Sequence, residues 1–366
     1  CYADTASVSV TVDQPIDVFV GPDLSVCVNG SVSLSGYVGG GSSTGHWTGG
    51  LGTFSPGRTD MYPDYTPDAS ESGTTVSLTL VADQGSNVCP AATATVQLAI
   101  SLQPVVDAGA DVNVCYPGQT TLAGSVTAGS TQGHWSGGLG TFVPNRNDQH
   151  AVYIPHASEA GQTVQLWLVS DMPGTSNCPP DSDMVELNVV PSVVSAGADA
   201  RICATDSVTL NGSVSGLVTT ATWSGGIGLF NPDNSTLNAQ YVPDPSEGGT
   251  TVPLVLSLDA TADCYLVTDT MLVRIDQPVI VFASGSVNTC AGGSVTLSAY
   301  VDGGAVGGHW TGGAGAFNPN RSDLNAEYTP TLAEGGSVVT LYFVAEQASG
   351  ATCPGDSSPV YVMDSV

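Results

Sequence analysis

The chain contains no lysine. Its only strong cations are five arginines (Arg58, Arg146, Arg201, Arg274 and Arg321) among 366 residues, against 33 Asp and Glu, so the formal net charge is −28. Nucleic acid and anionic membrane surfaces need a basic face, and both are expected to be poor partners. Schiff-base catalysis and Lys–Asn/Asp isopeptide cross-links also fall away, because each needs a lysine amine. No run of 18 apolar residues occurs, so no transmembrane helix and no membrane insertion is expected in this segment. A 3.6-residue period is nowhere sustained. Cys-x-x-Cys, His-Glu-x-x-His and a phosphate-binding loop are missing as well, and a non-enzyme without a confident metal site is expected. Charged residues make up only 10% of the chain and hydrophobic ones 41%. Against a usual charged share of about 25%, that composition can bury a core and argues against disorder.

What the chain does have is repetition. The motif Trp-(Ser/Thr)-Gly-Gly-x-Gly-x-Phe begins at Trp47, Trp135, Trp223 and Trp310, at intervals of 88, 88 and 87 residues. Each copy lies between two cysteines: Cys27 and Cys89, Cys115 and Cys178, Cys203 and Cys264, Cys290 and Cys353, separated by 62, 63, 61 and 63 residues. A period this long marks a string of small domains. Nine cysteines, eight in regular pairs, point to an oxidising compartment and to one disulfide within each module. Prolines 15, 104, 191 and 278 open short apolar runs and set the boundaries. The expected modules are 15–103, 104–190, 191–277 and 278–366. Cys1 and the alternating Val8, Val10 and Val12 match the segment after each second cysteine, so 1–14 reads as the last strand of a preceding module. With neither an initiator methionine nor a signal peptide, the chain reads as a piece of a longer secreted protein.

Within a module the pattern is period two. Val76-Ser-Leu78-Thr-Leu80 recurs as Val164-Gln-Leu166-Trp-Leu168, Val252-Pro-Leu254-Val-Leu256 and Val339-Thr-Leu341-Tyr-Phe343. About seven short alternating strands per module predict an all-β fold of tandem antiparallel immunoglobulin-like sandwiches forming an extended rod. The second cysteine lies beyond the long strand, so the bridge is expected to staple the start of a module to its end, near the junction.

The Trp-Gly-Gly motif, a Tyr-x-Pro (Tyr65, Tyr153, Tyr241, Tyr328), a Glu before Gly or one residue ahead of it (Glu71, Glu159, Glu247, Glu334) and a long strand ending in an acid resemble PKD-like repeats. More narrowly, all four modules resemble the Ig/PKD-like modules reiterated in giant type IX-secreted surface adhesins of gliding Bacteroidota. The resemblance implies an extracellular, surface-attached adhesin-like protein. The sequence departs from the PKD loop where Gly-Gly replaces Phe-Gly and the Asp is absent, and no type IX sorting domain is seen.

The candidate functional residues divide into recurring and varying ones. Trp47, Trp135, Trp223 and Trp310 recur and are expected in the cores. Trp167 and Tyr342 occupy an outward register where the other modules carry Thr79 and Val255, which makes them a candidate contact surface. His46, His134 and His309 precede the repeat tryptophan without a second ligand nearby. Arg58, Arg146 and Arg321 are each followed two residues later by an aspartate, predicting a local Arg–Asp pair. Acids gather toward the junctions, and calcium is a candidate near Asp83, Asp107 and Asp111. Thr5, Ser207 and Thr270 match a short O-glycosylation pattern used by Bacteroidota. The leading expectation is a structural and adhesive stalk or homo-oligomeric extracellular fibre that attaches to surfaces or other cells. The alternative is a set of carbohydrate-binding modules, in an adhesin tip or a secreted hydrolase, with a glycan or cell-surface ligand.

Overall fold

A computed structural model describes residues 3–84, 88–172, 174, 176–290 and 292–365. The chain divides into two compact units, Cys1–Val190 and Pro191–Val366. Both are built from strands, and the same three sheets recur around each copy of the tryptophan motif, twice per unit. Tandem immunoglobulin-like β-sandwiches are therefore the fold. The Cys1 reading lies outside the described residues, and residues 3–15 hold no strand.

In the first repeat the strands are β1 (Ile16–Val20), β2 (Leu24–Cys27), β3 (Val32–Ser33), β4 (Gly36–Gly40), β5 (Gly45–Thr48), β6 (Thr53–Ser55), β7 (Asp64–Thr66), β8 (Thr75–Ala82) and β9 (Thr93–Ser101). The main sheet has the order β2-β9-β8-β5, while β1-β4 and β3-β7-β6 form the smaller pieces. Alternation sets the faces: in β8 the residues Leu78, Leu80 and Ala82 are buried. They join Trp47, Tyr65, Val96 and Leu98 in one core. The equivalent tryptophans Trp135, Trp223 and Trp310 are likewise enclosed, each at 1% exposure or less.

One expectation needs correction: the main sheet is not purely antiparallel. β2 runs parallel to β9, with Leu24 opposite Leu98 and Cys27 opposite Ser101. The same parallel edge joins 200–203 to 268–276 and 286–290 to 357–365. The cause is local. A glycine interrupts the opening strand, Gly21 here and Gly109, Gly197 and Gly285 in the other repeats, so β1 pairs with β4 while β2 crosses to the edge of the main sheet. At that crossing the Gln97 N–H donates to the Asp23 carboxylate at 3.0 Å. Glu186 N–H to Asp111 and Leu272 N–H to Asp199 do the same, both at 2.8 Å.

A buried carboxylate holds the loops. The Glu71 side chain accepts from the Leu51 N–H (2.7 Å), the Asp68 N–H (2.9 Å) and the Tyr65 hydroxyl (2.7 Å). The Gly52 N–H in turn donates to Tyr65 Oη at 3.0 Å. Glu159, Glu247 and Glu334 repeat the arrangement with Tyr153, Tyr241 and Tyr328. The glycines of the motif make room for it. A Cβ on Gly50, whose φ is +64°, would fall 2.2 Å from Tyr65 Oη.

Burial pushes the Glu71 carboxyl up, but its three donors outweigh that and hold it below the ordinary value of 4.5; Glu334 behaves alike. Burial, reinforced by Glu71 and Glu247 beside them, pushes the Tyr65 and Tyr241 hydroxyls to about 12. A lowered folded pKa contributes stability that is complete above about pH 4.5 and is lost as pH falls through the folded value. The thermal midpoint should therefore drop on acidification below pH 4.5. Glu71→Gln should flatten that drop and lower stability at pH 7 by about 2–3 kcal/mol, since an amide offers one acceptor to three donors. Denaturant melts at pH 7 and pH 3.5 check both effects. In the same assay Trp135→Ala should cost about 3–5 kcal/mol.

Candidate functional site

The residues that set this chain apart from a plain string of sandwiches lie where one repeat meets the next. In the first unit, Cys27 at the end of β2 is bonded to Cys178 of the second repeat, 151 residues away, with Cα atoms 4.7 Å apart. In the second unit Cys203 is bonded to Cys353 across 150 residues, again with Cα atoms 4.7 Å apart. These bonds join repeats rather than closing each one, which corrects the pairing expected from spacing. Cys115 and Cys264 are also disulfide-bonded. Cys290 is an exposed thiol, not the partner of Cys353.

The reason is the parallel register. It places the first cysteine beside the far end of the last strand, Cys27 opposite Ser101 and Cys290 opposite Ser365. The second cysteine precedes that strand: Cys89 comes before β9 begins at Thr93. At about 3.3 Å per residue, the two cysteines of one repeat stand roughly 30–40 Å apart. A disulfide needs Cα atoms within about 7 Å. The loop of the following repeat, by contrast, lands where the first cysteine waits.

Polar contacts surround each joint. Asn177 Nδ2 donates to the Ser25 carbonyl at 2.7 Å and to Ser25 Oγ at 2.8 Å. Cys178 Sγ lies 3.5 Å from the Ser101 carbonyl oxygen, and Cys353 Sγ 3.3 Å from that of Asp276. The Asp276 carboxylate is buried and accepts Arg201 Nε at 2.8 Å, Arg201 Nη2 at 2.9 Å and the Thr352 N–H at 2.8 Å. Arg201 holds the Asp276 carboxyl below the usual carboxylate range, against the opposing effect of burial, with help from Thr352.

The acids named as calcium candidates each meet a nearby partner. Asp83 contacts His46 Nδ1 at 2.9 Å, Asp107 accepts the Gly109 N–H at 2.8 Å, and Asp111 anchors Glu186. Among the described residues no group of three or more His, Cys, Asp or Glu could hold a metal ion. The acids are spent singly on nearby donors and do not converge. The histidines before the tryptophans pair across the strand with the acid 37 residues on, as in His134–Asp171 at 2.7 Å and His309–Glu346 at 3.1 Å. Thr222 and Asp259 take those places in the third repeat. Sequence reading missed this pairing, although the fixed interval carried the signal.

The expected Arg–Asp turn pair is also absent among the described residues. Arg58 instead stacks 4.1 Å over the Phe54 ring and donates to the carbonyls of Trp47 and Gly49, at 3.3 and 3.0 Å. Arg146 and Arg321 sit the same way on Phe142 and Phe317. The tryptophan–glycine turn points its carbonyls outward, and a fork of N–H donors satisfies them; Asp60 takes the Tyr62 N–H. Asn234 Nδ2 does the work of the arginine in the third repeat, donating to the Trp223 carbonyl at 3.0 Å.

Trp167 is 42% exposed, flanked across the sheet by Ser136 and Met184, and Tyr342 is 43% exposed between Thr311 and Pro359. Both face solvent. Thr5, Ser207 and Thr270 are exposed. The run Gly41-Ser-Ser-Thr-Gly45 matches Gly-x-Ser-x-Gly in letters only: it links strands β4 and β5, whereas a nucleophile elbow needs a strand-to-helix turn. Among the described residues no helix is long and apolar enough to cross a membrane.

No protein-family model matches the chain, and no curated protein sequence does. Solved structures similar to it are tandem-domain proteins. A three-domain titin fragment, I67–I69 in an E-to-A variant, shares 12% identity over 73% of this chain and all of its own, with a TM-score of 0.43. The insect immune protein hemolin shares 10% identity over 97% of this chain and all of its own, with a TM-score of 0.34. Drosophila N-cadherin EC1-4 shares 10% over 94% of this chain and 99% of its own, with a TM-score of 0.33. The likeness is one of fold.

Peptide mapping under non-reducing conditions reads the joint directly. With no lysine to cleave at, pepsin digestion should release a Cys27 peptide linked to a Cys178 peptide and a Cys203 peptide linked to a Cys353 peptide. Recovery of Cys27 with Cys89 would reject that pairing.

Proposed function

We propose that the protein is a structural and adhesive segment of a large secreted bacterial surface protein, in which tandem immunoglobulin-like modules form a stalk or a homo-oligomeric extracellular fibre. The observation that carries this reading is the cystine joint between consecutive repeats in each unit. A chain that commits its cysteines to joining neighbours is organised for holding domains in series, not for shaping one reactive cleft. The proposed modules are 15–103, 104–190, 191–277 and 278–366. The motif resemblance supports type IX export in a gliding member of the Bacteroidota, and the exposed Trp167 and Tyr342 supply the lateral contact surface. The reading includes no enzymatic role and no bound cofactor.

A second reading, carbohydrate recognition, draws on one feature. An open, polar depression of about 570 Å³ is lined by Gln132, Asn145, Asp148, Gln149, His150 and Asp171. Amides and carboxylates of this kind can hydrogen-bond sugar hydroxyls. Sedimentation velocity across a concentration series, with electron microscopy of the same samples, separates the two. Concentration-dependent assembly weakened at least tenfold by Trp167→Ala, with a blank glycan array, supports the fibre. A protein that stays monomeric at every concentration and binds glycans would overturn it.

A further inference from the structure

The disulfides do more than hold neighbours together, because of where they sit along the chain. Tension entering at the N-terminal end reaches Cys27 after passing only β1 and β2. There the chain is bonded to Cys178, which stands just ahead of the last strand of the second repeat, Ser182–Pro191. From Pro191 the backbone runs through strands Val193–Ser195 and Ala200–Cys203 to the next bond, Cys203 to Cys353. After Cys353 only the final strand, Ser357–Ser365, remains. The four tryptophans, all four glutamate–tyrosine nodes and the long strands that start at Thr75, Thr163, Thr251 and Val338 lie off this route.

We infer that the paired cystines form a covalent bypass that carries tension past the folded cores, so that the oxidised chain cannot be drawn out even when its modules unfold. The inference concerns the covalent frame and goes beyond the proposed function: it holds whether the protein is a stalk or a set of sugar-binding modules. The sequence separations of 151 and 150 residues set the hidden length. At about 3.5 Å per extended residue, each bond withholds roughly 500 Å of chain. The segments left on the route are largely strands already, so they yield little further length. Pairing within each repeat would behave differently. The stretch between the second cysteine of one repeat and the first of the next would stay on the route, and each tryptophan core would be bypassed separately.

Single-molecule stretching of the full chain, held at its two ends, tests the bypass. The oxidised protein should show no unfolding step longer than about 100 Å. After reduction with a phosphine it should show successive steps whose summed gain approaches 1000 Å. The variant carrying Cys27→Ser and Cys178→Ser, stretched without reductant, should recover a gain on the order of 400–500 Å. Its folding is checked beforehand by circular dichroism and by the enclosed-tryptophan fluorescence. Equal extension before and after reduction of the wild-type chain overturns the inference, as does a double-serine variant that extends no further than wild type. Failure to assemble in solution would bear on the proposed function alone and leave this result standing.

Discussion

In each repeat one glutamate side chain, buried at Glu71, Glu159 and Glu247 and half-buried at Glu334, is the point on which two loops and the sandwich wall converge. Glu71 accepts from the loop after the tryptophan, from the Asp68 N–H at the start of the helical turn Ala69–Glu71 and from a core tyrosine. Isolated carboxylates are costly to bury, and this one is tolerable only because three donors are aimed at it. The dependence runs both ways. The Gly-Gly turn has room for the tyrosine hydroxyl, the tyrosine holds the next glycine N–H, and the tryptophan beneath is closed off from solvent. The recurrence of Trp, Gly-Gly, Tyr and Glu at matched intervals thus describes one connected object.

That object explains what could be read from the residues alone. Strand alternation is a local property, so the inward column Leu78, Leu80 and the outward position of Trp167 follow from period two without knowledge of partners. The enclosed tryptophans follow likewise from recurrence in a chain with few other large side chains. Partner choice is not local. The cysteine interval within a repeat is 61–63 residues, and the interval between bonded cysteines is 150 or 151, so both are constant in a periodic chain and spacing cannot discriminate. What decides is a parallel edge strand, whose sequence mark is a glycine interruption, Gly21 in the first repeat and Gly109, Gly197 and Gly285 in the others. The arginines illustrate the same limit. Their target is a set of turn carbonyls and a ring, neither of which advertises itself by charge.

The acidic surplus and the disulfides are two sides of one design. A net charge of −28 with five cations keeps such a chain soluble while pushing its parts away from one another. Most acids at the repeat ends are committed to neutral donors, as Asp23, Asp111 and Asp199 are to backbone N–H groups of the last strand. Hydrogen bonds of this kind hold the carboxylate without cancelling its charge, so repulsion between neighbouring repeats persists. Among the described residues an arginine neutralises the acid at Asp276 alone, and that pair sits beside the Cys203–Cys353 joint. The hydrogen bonds from Asn177 and Thr352 at these joints are polar contacts, which salt or pH would alter. A covalent bond is indifferent to both. Placing it between repeats, where repulsion acts, and leaving each core to its own tryptophan and buried carboxylate, separates two tasks that a disulfide within the domain would have merged. Each repeat then needs only to fold, while the spacing of neighbours is kept by sulfur.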